Sequence, residues 1–397
     1  MNLLGKLLTP VLAAALIFSS GCSEAKQENS QTESQTTESE TTMELTQKTY
    51  AADEQYVKLI GRTGSDEGIR WLALSASGVE FTFKGTQASF TLVGDNQVQQ
   101  GKDKQARYAV YINGEKTIDA QLDELEKTVE VFASDEAVET TVKLLKLSEA
   151  QESTMGIKAI NLTAESDPVP TAAKALKIEF IGDSITCGYG VDDEDRDHHF
   201  STSTEDATRA YAYKTAVALD ADYSLVSYSG NGIISGYSDG KKKVTTQLVP
   251  KVYEKFAKSW GSADMFNVSS LDWDFSKFVP DFIVINLGTN DDSYTGNDKE
   301  RIEDYTVNYV EFLKMIRKNN PDAHIICTLG VMGDRLFKAV EDAAGRYTEE
   351  TGDTNISTYH FTPQDGSTGF AADWHPTEAT HQIAADGLVE EIKSLMN

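Results

Sequence analysis

The sequence predicts an all-β sandwich followed by a three-layer α/β sandwich on a parallel sheet. Three observations carry this expectation. Short alternating apolar runs crowd the segment from Tyr50 to Ala164. From Ile178 onward, apolar runs alternate with helix-periodic stretches. Between the two patterns, Asp167-Pro168-Val169-Pro170 reads as a stiff linker. With 397 residues, 40 % hydrophobic and 25 % charged, the chain has globular composition and the length of two domains.

The N-terminus reads as a targeting segment. Lys6 precedes an apolar stretch, Leu7 to Phe18, that ends in Ser19-Ser20-Gly21-Cys22. The stretch is too short to span a bilayer and has the shape of a secretory signal, assigned here to residues 1–21. Small residues before a cysteine resemble a bacterial lipoprotein processing site, with Cys22 as the lipidated residue. A lipid there would anchor the protein without threading it through the membrane. Residues 22–49 are rich in Ser, Thr, Glu and Gln and poor in apolar residues. Such a segment buries too little surface to offset its ordering entropy, so it is expected to be a disordered tether.

Residues 50–166 form the expected sandwich. Val79 to Lys84 alternates, Gly85-Thr86 reads as a turn, and Ala88 to Leu92 alternates again. Tyr108 to Ile112 leads into Asn113-Gly114, a hairpin turn signal. Thr128–Phe132, Thr140–Leu147 and Ile157–Leu162 add further strands, a spacing typical of sandwiches. Residues 175–397 form the expected α/β domain. Its strands are Ile178–Ile181, Leu225–Tyr228, Phe282–Leu287, Ile325–Leu329 and Ile356–Phe361. Its helices are Ala207–Leu219, Arg301–Ile316, Leu336–Thr348 and Thr377–Leu395, the first with Ser203 and Asp206 as a capping box. Ile383, Ala384, Gly387, Leu388 and Ile392 make one apolar face of the last helix. This order implies a parallel sheet covered on both faces.

Loops at the carboxyl ends of such strands line the binding crevice. Ser184, in Gly182-Asp183-Ser184, follows the first strand, and Gly230 follows the second. Asn290, in Gly288-Thr289-Asn290-Asp291, follows the third. His375, in Asp373-Trp374-His375-Pro376, lies between the last strand and the last helix. A serine hydroxyl needs a base to become nucleophilic, and His375 is the candidate. Asp373 is the candidate to orient the imidazole. The backbone N–H groups of Ser184 and Gly230 and the amide of Asn290 are candidate oxyanion donors. Tyr294 and Trp374 flank these blocks and are candidate walls for a sugar ring.

These four blocks resemble the SGNH, or GDSL-like, hydrolase superfamily, which implies a flavodoxin-like parallel sheet. With a β-sandwich in front and Thr186-Cys187-Gly188-Tyr189-Gly190 after the nucleophile, the chain is most similar to carbohydrate esterase family 2. The segment Gly78-Val79-Glu80-Phe81-Thr82-Phe83-Lys84-Gly85 fits that family as well. The resemblance implies a jelly-roll-like first domain and removal of acetyl groups from xylan or glucomannan, with no cofactor and no metal. Many superfamily members carry the aspartate three residues before the histidine. Here Ala372 stands there and Asp373 is two before, which leaves a Ser–His dyad aided by a backbone carbonyl open.

The formal charge of −27 sets a field that repels nucleic acid and anionic lipid and favours a neutral partner such as an acetylated polysaccharide. The acidic run from Asp192 to Asp197, with His198 and His199, matches no metal-ligand spacing and reads as a solvated rim loop. Cys187 and Cys327 are expected to be free thiols. The expected location is extracytoplasmic, with the membrane reached only through Cys22. Two other functions compete: a lipase or thioesterase on the same fold, and a carbohydrate-binding surface protein without turnover. The number of subunits is not legible.

Overall fold

Antiparallel pairing organises the first half of the chain. The computed structural model describes residues 44–263 and 266–396. The expected signal, the Cys22 lipidation site and most of the expected tether lie outside the described residues. The strands are β1 (Thr46–Tyr50), β2 (Lys58–Ile60), β3 (Thr63–Asp66), β4 (Ile69–Leu72), β5 (Gly78–Gly94), β6 (Arg107–Ile112), β7 (Glu115–Gln121), β8 (Glu126–Lys146), β9 (Met155–Ala164) and β10 (Val169–Pro170). They share one antiparallel sheet in the order β3-β4-β9-β5-β8-β6-β7, with β1 on β9 and with β2 and β10 on β5. β5 and β8 run 17 and 21 residues and pair along most of that length, interrupted by register shifts at Gly85/Gln87 and Ala88/Ser89. Bulges of this kind bend strands, so the sheet curls around its own core. That core includes Phe81, Phe90, Tyr108, Leu144 and Ile157. Asn113 and Gly114 both have positive φ, 51° and 89°, as the hairpin signal requires.

The structure corrects three expectations here. Gly85-Thr86 is not a turn: the backbone passes straight through, and a Cβ on Gly85 would lie 2.2 Å from the Thr163 carbonyl oxygen. The glycine lets β9 approach closely at a bulge. The tether ends earlier than residue 49, because Thr46 to Tyr50 pairs with Ala164 to Ile160. Two threonines and a tyrosine in this stretch suit a strand better than a tether. The linker is tied down: Val169 pairs with Thr82, and the Asp167 carboxylate accepts hydrogen bonds from Lys48 and Tyr50.

The second half carries the parallel sheet. Its strands are β11 (Leu176–Gly182), β12 (Ala221–Ser227), β13 (Phe282–Asn286), β14 (His324–Leu329) and β15 (Ile356–His360), in the order β12-β11-β13-β14-β15. Its helices are α1 (Ser184–Cys187), α2 (Tyr211–Ala218), α3 (Thr289–Thr295), α4 (Lys299–Asn319), α5 (Phe337–Thr351) and α6 (Glu378–Leu395). Alternation along β13 makes three layers. Ile283 and Ile285 pack with Tyr309, Leu313 and Val340 of α4 and α5. Phe282 and Val284 pack with Tyr211, Leu388 and Ile392 of α2 and α6. On α6 the seam is Ala384, Leu388 and Ile392, whereas Ile383 of the expected face is exposed. The first expected helix is broken: Ala207–Arg209 is a 3₁₀ turn, Ala210 is extended, and α2 starts at Tyr211. Asp206 caps that turn through Thr208 N–H at 2.9 Å, in place of the expected Ser203–Asp206 box.

Glu179, which interrupts the apolar run of β11, is explained by a partner from the other sheet. Arg62 and Glu179 are buried and joined by three hydrogen bonds of 3.0 to 3.3 Å. Tyr253 donates to Glu179 at 2.8 Å, and the Arg62 guanidinium lies over the rings of Tyr253, Trp273 and Phe275. A buried charge persists only when paired and bonded in this way.

Candidate active site

Strand register assembles the site. Gly182 at the end of β11 stands opposite Ser227 of β12 on one side and Asn286 of β13 on the other. Ser184, Gly230 and Asn290 lie just beyond these three neighbouring strand ends. Asp183 caps α1 by accepting Ile185 N–H at 3.1 Å, which turns the chain immediately at the nucleophile. Burial pushes the Asp183 carboxyl up to about 7, against the stabilising Ile185 N–H bond.

His375 arrives from the far end of the domain. Its Nε2 is 2.9 Å from Ser184 Oγ, and both residues are 8 % exposed. Its Nδ1 is 3.1 Å from the carbonyl oxygen of Ala372. A carbonyl only accepts, so Nδ1 carries the proton and Nε2 is left as the base facing the serine. Asp373 and Trp374 have positive φ, 49° and 63°, and this left-handed turn accompanies the folding of Ala372 C=O back onto the imidazole. Gly190 makes the approach possible: a Cβ there would meet the Ala372 methyl at 2.6 Å. Burial pushes the His375 pKa down to about 4, which keeps the imidazole neutral.

The expected role of Asp373 is corrected. Its carboxylate accepts from Tyr189 OH at 2.6 Å and contacts His199 Nδ1 at 2.9 Å, not the Nδ1 of His375. Burial opposes its ionisation, but the bonds to Tyr189 and His199 hold its carboxyl below the usual range. The left-handed turn gives the imidazole the Ala372 carbonyl in its place. The Tyr189 ring stacks on His375 with centroids 3.9 Å apart, so one side chain both walls the base and holds Asp373.

Among the oxyanion candidates, the Ser184 and Gly230 N–H groups have no acceptor among the described residues. The Asn290 amide nitrogen donates to Asn231 O at 2.9 Å and to Asp183 Oδ2 at 3.1 Å, so both of its hydrogens are engaged. Asp291 accepts the N–H groups of Ile233, Ile234 and Ser235 and holds the loop beyond Gly230. Trp374 is 48 % exposed, packs at a tilt against Phe370 and lies under the Arg196 guanidinium at 4.1 Å. Tyr294 is half-buried on the core under Arg301 and is not joined to the serine–histidine pair. The acidic loop is paired within itself, Asp193 with His198, and to its surroundings, Asp192 with Arg107 and Arg209.

Sequence reasoning missed several residues at this edge. Tyr189 lies in the Thr186–Gly190 segment after the nucleophile, yet nothing in a single sequence marks its stack on His375. Tyr237 and Trp260 are exposed aromatics whose N–H groups donate to Gly230 O and Gln151 O. They carry no motif. One buried trio, Glu149, Cys187 and Glu205, brings ligand atoms within 4.8 Å of one another. It suits a cation poorly. The Lys146 ammonium is buried beside it, and burial pushes the thiol pKa well above its ordinary value. Cys187 and Cys327 are free and buried.

A parallel sheet with a serine–histidine pair at its carboxyl edge defines a hydrolase of the SGNH type. The chain belongs to the GDSL-like lipase/acylhydrolase family, whose model matches residues 180–383. Residues 59–171 match the carbohydrate esterase 2 N-terminal domain. The chain is 32 % identical over 334 residues to the cellulase/esterase CelE of Acetivibrio thermocellus, covering 81 % of this chain and 37 % of that protein. It thus spans little more than a third of that relative. It is 26 % identical over 404 residues to an acetylxylan esterase / glucomannan deacetylase of Cellvibrio japonicus, covering 99 % of each. The structure of a family two carbohydrate esterase from Clostridium thermocellum in complex with cellohexaose is similar, with a TM-score of 0.72 and 29 % identity, covering 86 % of this chain and 99 % of that one.

Proposed function

We propose that this protein is an extracytoplasmic serine esterase that removes O-acetyl groups from xylan- or glucomannan-type polysaccharides through an acetyl-enzyme on Ser184. One observation carries the chemistry: an imidazole nitrogen 2.9 Å from a serine hydroxyl, with the other ring nitrogen on a backbone carbonyl. The names of the similar proteins and the bound cellohexaose of one of them support the substrate class. The lipid anchor on Cys22 is part of the same proposal and places the enzyme where polysaccharide is met.

His375 Nε2 takes the proton as Ser184 Oγ bonds to the acetyl carbon. The resulting oxyanion rests on the Ser184 and Gly230 N–H groups, and Asn290 joins them by giving up one of its two bonds. Collapse breaks the carbon–oxygen bond to the sugar, and Nε2 gives its proton to the departing sugar oxygen, which leaves as the free hydroxyl. Water, deprotonated by the same nitrogen, then releases acetate and frees Ser184. Trp374 forms one wall for the sugar. The test is acetate release from acetylated xylan and glucomannan, with long-chain acyl esters for comparison. The wild type is expected to prefer the acetylated glycans, and Ser184→Ala to lose at least about 10⁴ of the rate. Equal rates for the two proteins would remove the proposal.

A further inference from the structure

The peptide that offers Gly230 N–H is the one whose carbonyl belongs to Ser229, and that carbonyl is gripped from the other sheet. Gln151, in the buried connection between β8 and β9, donates its Nε2 to Ser229 O at 3.0 Å. Asn231 Nδ2 donates to the same oxygen at 2.8 Å and to Gln151 Oε1 at 2.9 Å. On the other side of the residue, Ser229 N–H donates to Glu149 Oε2 at 2.8 Å. In a trans peptide the C=O and N–H point in opposite directions. Fixing Ser229 C=O therefore fixes the direction of Gly230 N–H. Two donors on the carbonyl also polarise the peptide and strengthen its N–H as a donor.

The brace is itself rigid. Lys146 Nζ donates to the carbonyls of Ser148 at 2.6 Å and Glu149 at 2.8 Å. Glu205 Oε2 accepts Glu149 N–H at 2.8 Å, and Gln151 O accepts Trp260 N–H at 2.8 Å. Gln151, Glu149 and Lys146 are all buried. Burying a charged lysine and two glutamates together is costly unless they are bonded, and several of these bonds hold the connection that carries Gln151.

We propose that Gln151, seconded by Glu149, is a positioning residue of the esterase: the N-terminal sheet aims the oxyanion peptide of the catalytic domain. This rests on the serine-esterase reading above. Losing an oxyanion donor outright costs about 10²–10³ in turnover. A donor left in place but no longer aimed is expected to cost about 10- to 10²-fold, all of it in kcat.

The experiment compares the full chain with Gln151→Met and Gln151→Glu, using 4-nitrophenyl acetate. Gln151→Met removes both polar ends at similar volume. Gln151→Glu keeps the shape and the acceptor for Asn231 and Lys258, and replaces donation to Ser229 by a carboxylate oxygen facing its carbonyl. It serves as the second variant if the first does not fold by circular dichroism. The expected result is a fall in kcat of about 10- to 10²-fold with KM within about threefold. Affinity for a tetrahedral boronate, which occupies the oxyanion site, falls by the same factor. A folded variant with wild-type kcat and wild-type boronate affinity would overturn the inference. So would a loss confined to KM. The ester reads acyl transfer at Ser184 whatever the natural glycan. An error in substrate class would therefore appear on the polysaccharide panel and leave this comparison intact. A Ser184→Ala protein as active as wild type on the same ester would instead sink the serine reading.

Discussion

Replacing Asp373 by asparagine separates two designs of the same site. In a serine triad the carboxylate fixes the histidine tautomer, and its amide replacement costs about 10⁴ in turnover because the wrong nitrogen then carries the proton. Here the tautomer is set by Ala372 C=O, 3.1 Å from Nδ1, and that bond survives any change to the residue 373 side chain. Asparagine also tolerates the left-handed backbone at φ 49°, so the turn that accompanies this bond is kept. What remains is the field of a carboxylate that is 33 % exposed and already engaged by Tyr189 and His199. At that exposure its stabilisation of the imidazolium is about 1 kcal/mol, equivalent to roughly five- to tenfold in rate. The predicted loss for Asp373→Asn is therefore within about tenfold in kcat, measured by initial rates with 4-nitrophenyl acetate and by acetate release from xylan. A loss near 10³ or beyond would refute the reasoning and show that Asp373 reaches His375 during turnover.

Two further outcomes follow from the same geometry. Because His375 must be neutral to act as base and burial pushes its pKa down to about 4, the acid limb of kcat/KM is expected near pH 4. A limb near 6.5 in protein shown to be folded would mean that the imidazole is solvated. Arg62→Met strands the buried Glu179 carboxylate and is expected to cost about 3–5 kcal/mol in urea unfolding, with part regained in Arg62→Met/Glu179→Leu; a single-variant cost below about 1 kcal/mol would contradict the pairing.

The Ser184–His375 pairing is legible in the sequence because side-chain identity and strand order both point to it. A parallel sheet leaves few ways for its carboxyl ends to be arranged, so motifs far apart in the chain are brought to one edge. For His375 Nδ1 the sequence leaves a backbone carbonyl open as an alternative to Asp373, but not which carbonyl. Asp373 is conspicuous as a side chain, whereas every residue has a carbonyl, and only the left-handed turn at Asp373 and Trp374 selects the one at Ala372. Gly85 is ambiguous in the sequence for a related reason: glycine marks a turn and a close strand approach alike, and only the facing carbonyl of Thr163 decides between them. The broken helix at Ala210 has a comparable origin. The periodicity continues across it, but Asp206 caps a short 3₁₀ turn first.

The two sheets are better understood as halves of one catalytic body than as an enzyme with an appended module. Their junction is buried, with Trp71, Leu74, Leu145 and Leu147 packed into the cores of the parallel sheet and buried polar pairs between them, where separable domains usually meet through modest, partly wet contacts. Arg62 neutralises Glu179 inside the parallel sheet, and Gln151 and Glu149 hold the peptide that precedes Gly230. Each of these contacts leaves a stranded charge or an unaimed donor if one side is removed. Buried polar groups are in the great majority hydrogen-bonded. The edge that carries Ser184 and His375 is therefore tied to the N-terminal sheet through specific bonds, and the proposed chemistry at Ser184 belongs to the whole described chain.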